Sequence, residues 1–147
     1  MKGCAIGVSV HTGWAACVAA AGSLRTPRIE AREEIEMLGD AERFVFHRAA
    51  KMDLAKAKRS VARAEEQATD RATAAIARFV ERVRGVGYEV VACAIAAKEN
   101  PKPASLEEIV APHPRIHSAE GCFYREVLRR AAEANRLKAR IVCGSRG

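Results

Sequence analysis

Aromatic residues are scarce in this chain of 147 residues, where they make up 5% and include a single tryptophan. A core with few rings has to be filled by smaller apolar residues, which the hydrophobic fraction of 49% supplies. No two cysteines have the Cys-x-x-Cys spacing of a zinc or redox site. Gly-rich phosphate loops, the Gly-x-Ser-x-Gly elbow and the His-Glu-x-x-His motif are also missing. The sequence therefore indicates no catalytic residue, no metal site and no cofactor.

Long hydrophobic runs are missing as well. Residues 1–21 resemble a signal peptide, but His11, Thr12 and Gly13 interrupt the apolar run and favour a turn between two strands. No other stretch is long and apolar enough for a bilayer, so we expect no membrane partner. The odd number of cysteines, all among small apolar residues, predicts reduced core thiols in a cytoplasmic protein; they are Cys4, Cys17, Cys93, Cys122 and Cys143.

Positive charge is concentrated in two segments. The net charge is +7, residues 41–84 and 115–147 each carry a surplus of +5, and the remainder is acidic. Such segments favour a polyanionic partner such as nucleic acid, although a solvated helix surface of mixed charge is the alternative. The candidate phosphate-binding residues are Lys51, Lys56, Lys58, Arg59 and Arg63. No aromatic residues are interleaved with them, which argues against readout of single strands.

The hydropathy pattern predicts strands, then helices alternating with strands. Residues 3–10 are apolar on both faces and predict a central strand covered on both sides, whereas residues 28–37 alternate like a half-exposed strand that turns Ile29, Ala31, Ile35 and Met37 to the core. The other predicted strands are 14–21, 88–97 and 139–143, of which 88–97 is expected to be buried on both faces, and the helices are 41–84, 105–110 and 118–135. The order β-β-β-α-β-α-β predicts one α/β domain over residues 1–147, with a five-stranded mixed sheet and a long helix between strands three and four.

The helix predicted over residues 41–84 is too long for its own domain. Forty-four residues would extend about 66 Å, against a radius of gyration near 15 Å for a compact chain of this length. We expect Asp40 to cap its start and Gly85 to end it. Either the helix breaks near Met52 and Asp53, or its first half reaches a partner subunit. Its alanine-rich stripe would permit close contact between helices, so we expect a homodimer through this helix.

The order of elements and residues 5–13 (Ala-Ile-Gly-Val-Ser-Val-His-Thr-Gly) are similar to the ribonuclease H-like superfamily, specifically to its branch of Holliday-junction resolvases. The resemblance implies a metal-binding acid on strand one, where this chain has Ser9, and another after strand four, where Glu99 is found. It also implies ligands on a C-terminal helix, whereas this sequence ends at Gly147. Two-metal cleavage needs several convergent carboxylates. We therefore expect a non-catalytic ribonuclease H-like domain that binds nucleic acid or another polyanion.

The segment around His117 and Glu120 carries the alternative function. Ser118 is a suitable N-cap, which would place Glu120 in the first turn of a helix beside His117, with Tyr124 one turn below and Arg125 next to it. An imidazole and a carboxylate on one face suit a hydrolase or a small-ligand or metal-binding enzyme. Ordinary helix capping is the structural explanation.

The predicted topology would bring further side chains to the same place. Ligands of open α/β sheets bind outside the carboxyl ends of the strands. At that edge we expect the candidate ligand-binding residues to converge, namely Ser9, His11, Glu99, His117 and Glu120.

Overall fold

The structure is a computed structural model that describes residues 1–97, 105–110 and 113–143. The strands are β1 (Lys2–Val10), β2 (Trp14–Gly22), β3 (Pro27–Glu36), β4 (Tyr88–Ala97) and β5 (Ala139–Cys143). The helices are α1 (Val45–Ala49), α2 (Leu54–Gly85), α3 (Leu106–Val110) and α4 (His113–Ala134). None of these helices is both long enough and apolar enough to cross a membrane. Glu99 lies outside the described residues.

The five strands form one mixed sheet in the order β3-β2-β1-β4-β5. β1, β2 and β3 are an antiparallel meander, as their short turns require. β4 lies parallel to β1, with Ile6 opposite Cys93, and β5 lies parallel to β4. Both parallel pairings follow a helical crossover, which supplies the length that a parallel connection needs. The predicted α/β class, the five-stranded mixed sheet and the long helix between strands three and four are confirmed.

Only one face of the sheet is covered by helices in the described part of the chain. Ile6 and Val8 of β1 face the helices and are buried, whereas Ala5 and Ser9, which flank them in the sequence, are exposed. On β4, Val91 is 63% exposed. The prediction that β1 and β4 are covered on both sides is therefore wrong. A run of small apolar residues satisfies the pattern of a buried strand whether or not a second layer is present.

A β-bulge changes the face of one predicted core residue. Ala19 is paired with Ala31 and the next residue, Ala20, with Ile29, so Glu30 has no opposite residue in the register. The bulge turns Ile29 to the open face, where it is 46% exposed, although strict alternation placed it with Ala31 in the core. Tyr88 of β4 contacts the bulged residue, since its hydroxyl donates to Oε1 of Glu30 at 3.0 Å.

The long helical segment breaks where the first alternative placed the break. α1 ends at Ala49, and Asp53 caps α2 by accepting a hydrogen bond from the Lys56 amide at 3.0 Å. Asp40 is not a cap, because α1 starts only at Val45. Gly85 is the last helical residue, and the left-handed backbone that ends the segment is at Gly87 (φ +99°).

The alanine stripe of α2 is buried within this chain. Ala57, Ala64, Ala68 and Ala72 are all buried, and the last three belong to the core formed with α4 and the sheet. Alanine permits the close approach that the sequence predicted, but the element that approaches is α4 rather than a second subunit. The stripe therefore does not support a homodimer.

Burial divides the cysteines into two classes of reactivity. Cys4, Cys17 and Cys93 are buried, and burial raises the pKa of Cys17 to about 12 and of Cys93 to about 11. Cys122 is exposed, contrary to the prediction of a core thiol, and the Cys143 side chain is outside the described set. Because the thiolate is the reactive form, we expect iodoacetamide at pH 8 to label Cys122 well before the three buried thiols. Peptide mapping by mass spectrometry measures this, and equal labelling rates would contradict it.

Candidate functional site

A groove lies where the chain turns back between α1 and α2. The turn after α1 is tied by hydrogen bonds from the amides of Lys51 and Met52 to the carbonyls of Arg48 and Ala49. The extended backbone of Asp53 then starts α2 at an angle to α1. The groove has a volume of about 410 Å³ and is lined by Glu42, Arg48, Met52, Lys56, Arg59, Ser60, Arg63, Ala64 and Gln67. We call it the basic groove, because four of these nine residues are cations and one is an acid.

The cations of the basic groove have no carboxylate partner among the described residues. All four side chains, those of Arg48, Lys56, Arg59 and Arg63, are exposed and none is in an ion pair. Lys56 and Arg59 are three residues apart on α2, and Arg59 and Arg63 are four apart, so like charges adjoin along one face. Each such pair destabilises a helix by about 0.2–0.5 kcal/mol. An uncompensated cluster of this kind creates a positive potential that favours anions.

Three of the five predicted polyanion-binding residues line the basic groove and two do not. Lys56, Arg59 and Arg63 line one groove, as their helical spacing predicts. Lys58 faces α3, where Nζ is 3.7 Å from Oε1 of Glu107, and Lys51 is exposed outside the groove lining. Sequence reasoning did not single out Arg48. It belongs to the same basic segment, but it reaches the groove only because α1 folds back on α2.

The second basic segment, residues 115–147, has much of its charge neutralised on α4. Arg129 donates from Nε to Oε2 of Glu126 at 3.0 Å and from Nη1 to Oε1 of Glu133 at 2.7 Å. The hydrogen bond from Arg129 lowers the pKa of Glu126 below its usual range. Arg130 bonds Glu65 of α2 and lies 3.6 Å from Glu126. These cations connect helices and acids of the same chain, so this surface is a weaker candidate for a polyanion than the basic groove.

The environment of Glu120 differs from the one predicted. α4 begins at His113 rather than after Ser118, so Glu120 is the eighth residue of the helix and lies beyond its first turn. It is buried, with 3% of its surface exposed, and accepts a hydrogen bond from Nδ1 of His47 on α1. The helix-dipole argument for Glu120 is therefore wrong. The sequence did not point to His47, which lies 73 residues away, and the His117 side chain is outside the described set.

Tyr124 and Arg125 are core residues rather than groups facing a ligand. Tyr124 is fully buried and Arg125 is 8% exposed. The Tyr124 hydroxyl donates to the carbonyl oxygen of Arg43, in the segment between β3 and α1. Burial raises the pKa of Tyr124 well above its usual value, and the nearby charge of Glu120 acts in the same direction. Tyr124 thus anchors the segment that leads into α1.

Tyr124→Phe tests this anchoring role. The phenyl ring keeps the packing but leaves the Arg43 carbonyl without its donor, so we expect the free energy of unfolding to fall by about 1–2 kcal/mol. Urea titration measures the change. A loss of polyanion binding without a loss of stability would show instead that Tyr124 contacts the ligand.

The turn between β1 and β2 carries an aromatic pair. His11 and Trp14 flank the two residues of the turn, and the His11 amide donates to the Trp14 carbonyl at 2.9 Å. Their rings are stacked, with centroids 4.0 Å apart and planes inclined by 6°. His11 is exposed and Trp14 is half-buried. The sequence predicted the turn and named His11, and the position of the only tryptophan directly after the turn was the available signal for the pair.

The predicted convergence is not found for Ser9 and Glu120, and it stays a prediction for the other candidate residues. Ser9 points to the open face of the sheet, where its neighbours in the register are Ala16 and Ala96. Glu120 lies on the opposite, helix-covered side, so these two side chains do not share a cleft. Neither of these two neighbours carries a carboxylate for the two cations that the resolvase resemblance implies. No group of three or more His, Cys, Asp or Glu residues that could hold a metal occurs within the described ranges.

No protein-family model matches the chain, and no curated protein matches it. Among solved structures, it is similar to RuvC of T. thermophilus in complex with a Holliday junction substrate, at 10% identity, 97% coverage of this chain and a TM-score of 0.55. It is also similar to another structure of Thermus thermophilus RuvC, at 10% identity, 95% coverage and a TM-score of 0.51. The chain spans 65% and 63% of those two proteins. The predicted topology is confirmed, and the protein has the ribonuclease H-like fold.

Proposed function

We propose that this protein is a non-catalytic ribonuclease H-like protein that binds the phosphate backbone of nucleic acid in the basic groove. The observation that carries the proposal is a cluster of four exposed cations for which the described part of the chain supplies no carboxylate partner, in a groove of about 410 Å³ between α1 and α2. Backbone phosphates are the anions that lysine and arginine neutralise in nucleic-acid complexes. One of the two RuvC structures contains a Holliday junction substrate, which supports a nucleic acid over other polyanions.

The non-catalytic part of the proposal rests on Ser9. It occupies the place of the strand-one acid, and its register neighbours Ala16 and Ala96 supply no replacement carboxylate. Phosphodiester cleavage with two metals needs several carboxylates around cations about 4 Å apart. We therefore expect no cleavage of duplex, single-stranded or junction DNA in the presence of magnesium or manganese. The alternative enzyme that would use His117 and Glu120 is less favoured, because Glu120 is buried and bonded to His47.

Salt-dependent binding tests the proposed function. Fluorescence anisotropy with labelled duplex DNA, single-stranded DNA and RNA would be measured between about 50 and 200 mM salt. Four phosphate contacts predict that log K falls against log salt with a slope of about −3.6 on duplex DNA and about −2.8 on single strands. Absence of binding to all three nucleic acids at low salt would overturn the proposal.

The homodimer through residues 41–84 stays a prediction, and its test is independent of nucleic acid. Light scattering at tens of micromolar gives the mass directly. Since the alanine stripe is already buried against α4, a dimer would have to use the exposed face of α2. A monomer mass would contradict the prediction, and a dimer that dissociates when the charges of Glu66 and Asp70, which are exposed on α2, are reversed would support it.

A further inference from the structure

The His11–Trp14 pair is a ready platform for a third ring. One face of the His11 ring is against Trp14 at a centroid distance of 4.0 Å, and the residue as a whole is exposed. The second face of the ring is the one that a ligand would meet. The two side chains are held in place because they are cross-strand neighbours on a two-residue turn. Flat rings presented in this way bind nucleobases by stacking, which needs no particular base because every base has a π-face.

The platform lies close to the basic groove. A Cβ built on Gly13, in the turn, would be 2.6 Å from the Cβ of Arg43, so the turn packs directly on the segment that leads into α1. The next residue back, Glu42, lines the groove. Adding standard backbone lengths to this contact places the Cα atoms of Trp14 and Glu42 within about 13 Å. That distance corresponds to about four stacked nucleotides at ~3.4 Å each.

The surrounding charges determine the side from which a strand can approach. Trp14 is paired with Glu36 on β3, and Glu34 is the next open-face residue of that strand. Both acids are exposed and repel phosphate. The pair lies on the open face of the sheet and the groove cations lie on helices of the covered face, so a strand has to pass around the turn between β1 and β2 and along the segment that carries the exposed acids Asp40 and Glu42. A backbone that holds a base on His11 therefore reaches the cations of α1 and α2 beyond Glu42.

We propose that the basic groove and the His11–Trp14 pair together bind single-stranded nucleic acid, with phosphates on the groove cations and an unpaired base on His11. The proposal rests on the proposed function and names its substrate class. A duplex buries the faces of its bases in its own stack, so only an unpaired base can use the platform. The sequence argued against single-strand readout because no aromatic residues are interleaved with the candidate cations. The aromatic pair comes instead from the turn between β1 and β2.

Trp14 is the single tryptophan of the chain, so its fluorescence reports on the platform without an added label. Trp14 fluorescence would be titrated with a thymidine oligomer of about 12 nucleotides, with an abasic oligomer of the same length and charge, and with a duplex. We expect the thymidine oligomer to change the Trp14 emission and to bind about 5- to 100-fold more tightly than the abasic oligomer at equal salt. The abasic oligomer and the duplex should bind without changing the emission.

Matched variants separate the two parts of the site. His11→Asn/Trp14→Asn removes both rings, so binding of the thymidine oligomer, followed by anisotropy because the Trp14 reporter is lost, should fall to the abasic level. Val91→Ala removes exposed apolar surface at the far end of the same sheet face and should change nothing. Equal binding of thymidine and abasic oligomers, with no change in emission, would overturn this inference and leave the proposed function intact. Failure of all three ligands to bind would overturn both.

Discussion

Reversing two charges in the basic groove, in the variant Arg59→Glu/Arg63→Glu, should weaken nucleic-acid binding by about 100-fold at 50 mM salt. Each residue loses an attraction and gains a repulsion toward phosphate. The slope of log K against log salt should also become shallower by about 1.4 on single strands, since two phosphate contacts are lost. Anisotropy titrations at several salt concentrations measure both quantities.

The single variant Arg59→Glu distinguishes a binding site from a structural one. In the native helix Arg59 adjoins Lys56 and Arg63, so a glutamate replaces two repulsions by two attractions. We expect the melting temperature to stay constant or rise while binding falls. Arg71→Glu/Arg78→Glu is the control for the double variant, because both residues are exposed on α2 outside the groove and the change in net charge is the same. If the control weakens binding as much, overall charge rather than the groove governs affinity.

Removing His47 should cause the largest loss of stability among the residues of the candidate site. Glu120 remains buried in His47→Ala but loses the hydrogen bond from Nδ1, and a buried carboxylate that loses a hydrogen bond is destabilised. We expect the free energy of unfolding to fall by about 2–3 kcal/mol, and the melting temperature by roughly 5–10 °C. Glu120→Gln, which removes the charge and keeps the shape, should cost less. Thermal melts and urea titrations measure both variants.

A double-mutant cycle shows whether these losses belong to the contact between His47 and Glu120. The double variant should be less destabilised than the sum of the two single variants, because their shared hydrogen bond can be lost only once. Arg48→Ala is the control on the same helix, since that side chain is exposed. Strict additivity, or losses under about 0.5 kcal/mol, would show that the pair does not stabilise the packing of α1 on α4.

Local signals predicted the elements whose boundaries depend on neighbouring residues. The alternation in β3, the turn at Gly13 and the apolar spacing of α2 each depend on side chains within a few positions. The break between α1 and α2 was visible for the same reason, since the Asp53 side chain caps α2 by accepting from the amide of Lys56, only three residues away. The start of α4 was missed because a suitable N-cap at Ser118 does not oblige a helix to begin there.

The sequence by itself determined the α/β class, the order of the elements, the concentration of positive charge in residues 41–84 and the turn that carries His11. The tertiary structure alone decided which of those cations share a groove and which carboxylate accepts the hydrogen bond from His47. It also decided which face of the sheet stays open and how near the aromatic pair lies to the groove. The physical reason is the range of the interactions. Turns, caps and helical periodicity depend on neighbouring residues, whereas His47 and Glu120 meet across 73 positions only because α1 and α4 pack together.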